Sequence, residues 1–172
     1  MEHLDIYPIG SSDVAQLQAI GRQTFFETFA EHNSEENMKK YLQEGFSAEK
    51  LTAELHHPDA RFYFAAVDGQ VIGYLKLNFG AAQTELKDNN ALEIERIYVV
   101  KAFHGKKVGQ MLYEKAMQVA REAAVQYVWL GVWENNKRAL QFYQKNGFVA
   151  FDQHLFHLGE DVQTDIMMRL DL

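Results

Sequence analysis

Residues 99–112 have the sequence VVKAFHGKKVGQML. The apolar pair Val99-Val100 ends a predicted strand, a loop containing Gly105 follows, and a helical period begins at Val108. Backbone N–H groups at the start of a helix have no intrahelical partner, and the positive end of the helix dipole lies beside them. Gly105 and Gly109 let a bulky anion approach the backbone closely. The stretch therefore predicts a strand–turn–helix unit that binds phosphate groups.

Two common phosphate-binding loops do not fit this stretch. A Walker A loop requires Gly-Lys-Ser/Thr after a spacing of four residues, and residues 99–112 lack it. A Rossmann loop follows the first strand of its unit, whereas this helix follows the fourth or fifth predicted strand. Residues 99–112 alone are also compatible with an ordinary turn that binds no ligand, so the hypothesis of a phosphate site depends on the residues that follow.

A second motif follows a predicted strand with the sequence WLGVWE at residues 129–134. It reads Asn136-x-x-Ala139-x-x-Phe142-Tyr143-x-x-x-Gly147-Phe148. Asn136 and Tyr143 are seven residues apart, which places them on one face of a helix, two turns from each other. That helix face can line a slot beside the phosphate turn.

The remaining sequence predicts a mixed α/β fold in one domain, residues 1–172, with the element order β-ααα-βββ-α-β-α-ββ. Ser11 or Ser12 is expected to cap a first helix that runs to about Glu31, and Ser34 is expected to cap a second. A third short helix is predicted over residues 47–55. Asp68-Gly69 indicates a hairpin turn between two strands.

Composition excludes several classes of function. The chain has 172 residues, of which 47% are hydrophobic, enough for a packed core. The formal net charge of −7 disfavours nucleic acid as a partner and favours cationic small molecules. The absence of cysteine removes thiolate nucleophiles and Cys-ligated metals. The spacing of His104, His154 and His157 is not typical of a metal site, so no metal is expected.

Targeting signals are not visible in the sequence. No apolar run approaches the roughly 20 residues that a membrane helix requires. The first residues, MEHLD, lack the basic and apolar regions of a signal peptide. We therefore expect no membrane partner, and a cytoplasmic location is the default expectation.

Residues 99–112 and 136–148 together resemble the Gcn5-related N-acetyltransferases (GNAT) in order and spacing. Within that family the chain is most similar to the PaiA-type spermidine/spermine N-acetyltransferases. The further similarity lies in four stretches: TFFETF at 24–29, LEIERIYV at 92–99, WLGVWE at 129–134 and QTD at 163–165. The resemblance implies a single N-acetyltransferase domain with a central, mostly antiparallel sheet of about seven strands flanked by helices. The family often has Arg/Gln-x-x-Gly-x-Gly/Ala in the phosphate turn, and those places here hold His104, Lys107 and Gly109.

The resemblance implies acetyl-CoA as cosubstrate and a set of residues that bind it. The pantetheine arm should pair with the backbone of Ile97 and Val99, and a bulge in their strand should open the slot for it. The pyrophosphate should lie on N–H groups of residues 105–110, and Lys107 can contribute its own if its dihedrals are helical. Asn136 should contact the pantetheine or the acetyl end. The full implied set is Ile97, Tyr98, Val99, His104, Gly105, Lys106, Lys107, Val108, Gly109, Gln110, Asn136, Lys137 and Tyr143.

The resemblance also implies two catalytic residues. Tyr143 is the candidate acid for the departing sulfur, because a phenol with a pKa near 10 can share its proton with a thiolate. Glu95 is the candidate base, acting directly or through a water, with Glu93 as a second choice. The N–H of Val99 is the candidate oxyanion donor. Strand alternation predicts that Glu93 and Glu95 share a face with Ile97 and Val99.

The acceptor is expected to be a primary amine attacked directly in a ternary complex, with a polyamine as the first hypothesis. Carboxylates on the N-terminal helices are candidates for holding it: Glu27, Glu31, Glu35 and Glu36. A protein N-terminus, a lysine or a drug amine is the rival acceptor, and a non-catalytic CoA-binding regulatory module is the rival function. Trp129 and Trp133 are interpreted as packing residues. Homodimers occur in this family, and the sequence leaves open whether this chain forms one.

Overall fold

The computed structural model describes residues 3–172 and has one seven-stranded sheet with helices on both faces. The predicted element order is confirmed. The strands are β1 (Leu4–Pro8), β2 (Ala60–Val67), β3 (Gln70–Asn78), β4 (Ala91–Val99), β5 (Tyr127–Trp133), β6 (Val149–Leu158) and β7 (Asp161–Asp171). The helices are α1 (Val14–Phe29), α2 (Glu35–Gly45), α3 (Ala48–His56), α4 (Val108–Glu122) and α5 (Lys137–Lys145).

The sheet order is β1-β2-β3-β4-β5-β7-β6. All neighbouring pairs are antiparallel except β4 and β5, which run parallel because α4 crosses over between them. The predicted hairpin between β2 and β3 turns at Asp68 (φ 49°) and Gly69 (φ 81°). Positive φ at both positions is what a tight two-residue hairpin needs, and it explains the Asp-Gly pair.

Helices pack on both faces of the sheet, and neighbouring residues of β3 face the two helical layers in turn. A Cβ built on Gly73 would lie 3.4 Å from a methyl group of Leu112 on α4, and one built on Gly21 of α1 would lie 3.7 Å from the Tyr74 hydroxyl. Successive strand residues point to opposite faces, so α4 covers one face of the sheet and α1 the other. Burial of the central side chains, including Leu75, Leu77 and Leu92, follows from this double cover.

Helix caps agree with the sequence except at the first helix. Ser34 and Ser47 accept hydrogen bonds from the backbone N–H groups of Asn37 (3.1 Å) and Lys50 (3.2 Å), as N-caps do. Ser11 and Ser12, by contrast, lie in a short 3-10 turn before α1 and cap nothing. The Asp13 carboxylate accepts from the Gly10 N–H instead (3.1 Å), and this contact ties the turn to the strand before it.

No helix within the described residues has both the length and the apolar character that crossing a bilayer requires.

Candidate active site

A gap opens in the middle of the sheet between β4 and β5. The two strands pair only from Ala91–Tyr127 to Ile94–Leu130. Beyond that point β4 continues to Val99 and β5 to Trp133 without pairing to each other. The register between β3 and β4 shifts at the same place, so that Glu95 has no partner on β3. A bulge bends its strand, so the predicted bulge separates β4 from β5 and creates the gap.

Because of the bulge, the side chains of β4 do not all lie on the faces of the sheet that strand alternation predicted. Cross-strand partners share a face, and Asn78 pairs with Glu93 while Leu75 pairs with Ile97. Asn78 and Leu75 are three residues apart on β3, so they lie on opposite faces. Glu93 and Ile97 therefore also lie on opposite faces, and the predicted common face was wrong. The reason is the extra residue at Glu95, which inverts the alternation.

The backbone of β4 beyond the bulge faces the gap. The Val100 N–H donates to the Ile72 carbonyl at 2.9 Å, which makes that pair a hydrogen-bonded one. Hydrogen-bonded and open pairs alternate in an antiparallel ladder, so Val99 and Ile97 direct their N–H and C=O groups away from β3. The Val99 carbonyl lies 2.7 Å from Nε2 of His104. The N–H groups of Ile97 and Val99 therefore point into the gap, where an extended ligand could pair with them.

The start of α4 presents unpaired N–H groups at one end of this gap. The first helical hydrogen bond runs from the Met111 N–H to the Lys107 carbonyl (3.1 Å), and no side chain caps this end. The N–H groups of Val108, Gly109 and Gln110 therefore have no intrahelical partner. A Cβ on Gly105 or on Gly109 would meet no atom within 4 Å. The turn is open to a large anion.

Lys107 has a left-handed backbone, with φ 66° and ψ 13°, and not the helical conformation under which it was expected to contribute its N–H. It occupies the place at which the family often has glycine. A non-glycine residue in this conformation is strained by about 1–2 kcal/mol. The left-handed conformation explains why the family often has glycine at this place, and Lys107 adopts the same conformation at a cost in stability.

A cleft of about 410 Å³ connects the gap to the start of α4 and to α5. It contains all of the predicted cofactor residues except Lys106 and Lys137. Lys106 places its Nζ over the ring of Phe103 (5.0 Å), and Lys137 is exposed at the first turn of α5. Five lining residues were not predicted. They are Thr28, Phe103, Arg138, Ala139 and Phe142.

Asn136 and Tyr143 both line this cleft from α5. Asn136 is the N-cap of the helix, and its Oδ1 accepts from the Ala139 N–H (3.2 Å). Its side-chain NH₂ group donates no hydrogen bond within residues 3–172 and is available to a ligand. Tyr143 is 6% exposed, and burial raises the pKa of its phenol. A raised pKa keeps the hydroxyl protonated at neutral pH, which suits a proton donor.

A second cavity of about 220 Å³ lies on the α1 face of the gap and meets the cleft at Tyr98, which lines both. Its walls combine aromatic rings with carboxylates. The rings include those of Phe25, Phe29, Tyr41, Trp129, Trp133 and Phe156. The acidic and basic side chains are those of Glu85, Glu93, Glu95, Arg96, His154 and Asp165.

Glu95 lies in a buried ion cluster at the edge of this cavity. Its Oε1 accepts from Lys76 Nζ (2.6 Å) and from the Asn78 amide (2.8 Å), and its Oε2 lies 3.1 Å from the Arg96 guanidinium. Glu54 of α3 completes the cluster with contacts of 2.9 Å to both cations. Burial opposes ionisation of Glu95, but Arg96 and Lys76 outweigh it and lower the pKa of its carboxyl.

The pKa of the Glu93 carboxyl shifts in the opposite direction. Burial raises the pKa of its carboxyl, although hydrogen bonds from Asn78 (2.9 Å) and from the N–H and hydroxyl of Thr84 (2.8 and 2.6 Å) counteract the rise. These donors occupy the carboxylate from several sides. Both carboxylates of β4 thus have established partners within the protein, and the base role predicted for Glu95 stays a prediction.

The carboxylates near the gap are not those expected on the N-terminal helices. None of Glu27, Glu31, Glu35 and Glu36 is among the residues lining either cavity. Glu27 accepts from the Lys101 N–H (3.0 Å) and so holds the loop before α4. Nothing in the sequence was a reason to select Glu85, His154 was considered only as a metal ligand, and Asp165 of the QTD stretch had no predicted role. Trp129 and Trp133, interpreted as packing residues, also line the second cavity.

Within residues 3–172, no group of three or more His, Asp or Glu side chains is arranged to hold a metal ion.

Comparison with known proteins identifies the family. The model of the acetyltransferase (GNAT) family matches residues 22–148, well over half of the chain. The chain belongs to the GNAT acetyltransferases. An uncharacterized N-acetyltransferase of Lactobacillus delbrueckii subsp. lactis is 43% identical over 169 residues, which is 98% of each chain. The predicted membership of the GNAT family and the predicted mixed α/β fold are confirmed.

Two further comparisons are with proteins of Thermoplasma acidophilum. The crystal structure of its PaiA N-acetyltransferase in complex with coenzyme A superposes with a TM-score of 0.81, at 26% identity and with 99% of each chain covered. A spermidine N(1)-acetyltransferase is 28% identical over 153 residues, 87% of this chain and 90% of the relative. The structural likeness covers 99% of this chain and so extends beyond residues 22–148, which the family model matches.

As a GNAT member this chain is an N-acetyltransferase whose cosubstrate is acetyl-CoA. The residues present fit that cosubstrate on three observations. The start of α4 has unpaired N–H groups for a diphosphate, and β4 turns the backbone of Ile97 and Val99 into the gap for an amide-containing arm. The cleft also extends from the α4 turn to Tyr143, where the sulfur end is expected.

Proposed function

We propose that this GNAT enzyme transfers the acetyl group of acetyl-CoA to a primary amine of a polyamine such as spermidine or spermine. The observation that carries the proposal is the second cavity, which meets the acetyl-CoA cleft at Tyr98 and combines carboxylates with aromatic rings. An alkylammonium chain is attracted to carboxylates and to the faces of aromatic rings. The proposal is also supported by the likeness to a spermidine N(1)-acetyltransferase.

The charge of the cavity favours a cationic acceptor. Four carboxylates line it, those of Glu85, Glu93, Glu95 and Asp165, against one guanidinium, that of Arg96. Lys76 and Arg96 balance Glu54 and Glu95 through contacts of 2.6–3.1 Å, so Glu85, Glu93 and Asp165 are the lining carboxylates without a Lys or Arg partner within residues 3–172. A long, narrow cation can enter such a cavity, because its methylene groups contact the rings while its amines face the acids.

The volume also distinguishes the acceptor classes. Cavities that enclose a drug-sized ligand are typically about 300–1,000 Å³, and this one is about 220 Å³. It has room for one aminoalkyl arm and is small for a multi-ring drug amine. A peptide substrate is expected to use an open groove lined by backbone, whereas the residues that line this cavity are mostly aromatic or charged. A polyamine fits better than either rival.

Acetyl-CoA supplies an activated acetyl thioester when it is bound in the cleft. In the proposed ternary complex the amine reaches that thioester through the gap between β4 and β5 and attacks it directly. The Val99 N–H, which faces the gap, is positioned to donate to the developing oxyanion. Tyr143 donates the proton that the departing sulfur requires, and burial keeps its hydroxyl protonated.

The test is an assay of free thiol release from acetyl-CoA with spermidine, spermine, a lysine-containing peptide or no acceptor. We expect turnover with the two polyamines to exceed turnover with the peptide by at least about tenfold in kcat/KM. Higher turnover with the peptide would transfer the assignment to a protein acceptor. CoA binding without thiol release for any amine would indicate a non-catalytic CoA-binding module.

A further inference from the structure

Asp165 lines the second cavity, and its carboxylate accepts no hydrogen bond within residues 3–172, although the imidazole of His154 lies 3.5 Å away. Asp165 lies on β7 opposite Trp133, and its side chain is 18% exposed. Its carboxylate passes over Gly131, where an added Cβ would lie 3.7 Å from Oδ2. Gly131 is the first residue of β5 beyond the last pair with β4. The absence of a side chain at that position leaves Asp165 open to the gap through which the acceptor must pass.

Asp165 is connected to the surface by two titratable side chains. Its Oδ2 lies 3.5 Å from Nε2 of His154 on β6, and Nδ1 of the same ring lies 3.1 Å from Oε1 of Glu85. Exposure increases outward, from 18% for Asp165 to 32% for His154 and 41% for Glu85. The three side chains form a line from the cavity to solvent, and the imidazole, with one nitrogen toward each carboxylate, can pass a proton between them.

The two carboxylates of β4 are less suited to accept a proton from the substrate. Glu95 is held by Lys76, Asn78 and Arg96, and these contacts stabilise its charged form. Glu93 accepts from Asn78 and twice from Thr84. A carboxylate whose lone pairs are already used must lose a hydrogen bond before it takes a proton. Asp165 has no such bond to lose.

We propose that Asp165 is the catalytic base that removes a proton from the acceptor ammonium, and that His154 and Glu85 carry this proton to solvent. The inference rests on the proposed transfer to an amine and names a further residue for it. Asp165 takes one proton from the ammonium, and the neutral nitrogen forms its bond to the acetyl carbon as the carbon–sulfur bond breaks. The nitrogen then loses its second proton to solvent, and solvent returns one proton to Tyr143, which has given its own to the thiolate. The proton on Asp165 leaves by way of His154, so the net release is one proton.

The electrostatics of the cavity support this role. Burial raises the pKa of the Asp165 carboxyl and His154 opposes the rise, so Asp165 is a stronger base than an exposed aspartate. Other charged or titratable groups also line the cavity around it. They are Tyr41 from α2, Tyr74 from β3, Glu93, Glu95, Arg96 and Tyr98 from β4, and Glu85 from the loop before β4.

The decisive variant is Asp165→Asn, which keeps the shape of the side chain and removes the base. We expect kcat with spermidine to fall about 100-fold near neutral pH, while CoA affinity measured by calorimetry stays within about twofold. Retained CoA binding shows that the variant is folded. Asp171→Asn is the matched control, because Asp171 lies on the same strand, is 75% exposed and is outside the cavity. It should keep the wild-type kcat.

The pH profile separates a base from a residue that only shapes the cavity. In wild type, kcat should level off above the pKa of Asp165, whereas in Asp165→Asn it should rise about tenfold per pH unit because hydroxide must take the proton. His154→Gln should move the acid limb to higher pH, since the imidazole lowers the pKa of Asp165. A kcat of Asp165→Asn within about threefold of wild type, or a plateau that this variant retains, would overturn the inference.

Failure of the substrate proposal gives a different result. If the wild-type enzyme acetylates the lysine peptide and not spermidine, the polyamine assignment fails, and the Asp165→Asn comparison is made with the peptide. If the wild-type enzyme acetylates spermidine and Asp165→Asn does so equally well, only the base assignment fails. An enzyme that acetylates no amine in the panel contradicts both.

Discussion

Lys76 Nζ lies 2.6 Å from Glu95 Oε1 at the bulge of β4, and the two side chains are only 7% and 19% exposed. The contact joins β3 to the one residue of β4 that has no cross-strand partner. The ion pair therefore stabilises the bulge, and the bulge opens the gap between β4 and β5. The charge of Glu95 has a structural role in this protein whether or not it also acts in catalysis.

The first prediction concerns this buried pair. Lys76→Met leaves Glu95 and Glu54 with only Arg96 to compensate them, and removal of one partner from a buried ion cluster typically costs about 3–5 kcal/mol. We expect the free energy of unfolding in urea to fall by about 3 kcal/mol. Lys39→Met on the exposed side of α2 is the control and should change it by less than about 0.5 kcal/mol. Equal effects would show that the pair does not hold the bulge.

The second prediction concerns the left-handed residue before α4. Lys107→Gly should increase the free energy of unfolding by about 0.5–1 kcal/mol, because glycine adopts φ 66° without the steric cost. Lys106→Gly removes a similar side chain at a neighbouring position that lacks a positive φ, so it should not stabilise. Thermal unfolding of both variants is the measurement. Stabilisation by neither, or by both alike, would contradict the strain at Lys107.

The third prediction concerns the diphosphate site at the start of α4. Gly109→Glu adds a negative charge to a position where a Cβ meets no atom within 4 Å, so the free protein should fold normally. Its affinity for CoA should fall at least about tenfold, because the carboxylate repels the phosphates. Gly109→Gln has the same bulk without the charge and should lose less. Calorimetry with CoA compares the two, and unchanged affinity in Gly109→Glu would place the phosphates elsewhere.

The fourth prediction concerns Tyr143. Tyr143→Phe keeps the ring contacts with Phe142, Phe148 and Tyr113 and removes the hydroxyl that faces the cleft. We expect kcat to fall about 100-fold with CoA affinity nearly unchanged. Single-turnover thiol release measures the chemical step directly. A rate equal to wild type would exclude Tyr143 as the acid.

The fifth prediction is a pH dependence of stability at Asp165. Because burial raises the pKa of its carboxyl, the folded state binds the proton more tightly than the unfolded state does. The ionised carboxylate then destabilises the fold, and this cost appears as pH rises above the unfolded pKa of about 3.9. Asp165→Asn should therefore have a higher Tm than wild type at neutral pH, with the difference closing as pH falls toward that value. A lower Tm at neutral pH would contradict the prediction.

Much of the site was predictable from local sequence. Asn136 and Tyr143 are fixed on one side of α5 by helical spacing, and Gly105 and Gly109 mark an open turn because they lack a Cβ. The backbone groups of residues 97 and 99 were predicted through the family resemblance. The facing of Glu95 was not predictable, because alternation holds only in a strand without a bulge, and a bulge is a property of two strands together.

The sequence by itself determined the order of elements, the family and the phosphate turn, because each depends on residues close together in the chain. Only the tertiary structure revealed the second cavity. Glu85, His154 and Asp165 come from a loop and two strands, and they meet because β6 and β7 fold back beside β5. Contacts between such distant segments are set by sheet register and packing, which no local pattern encodes.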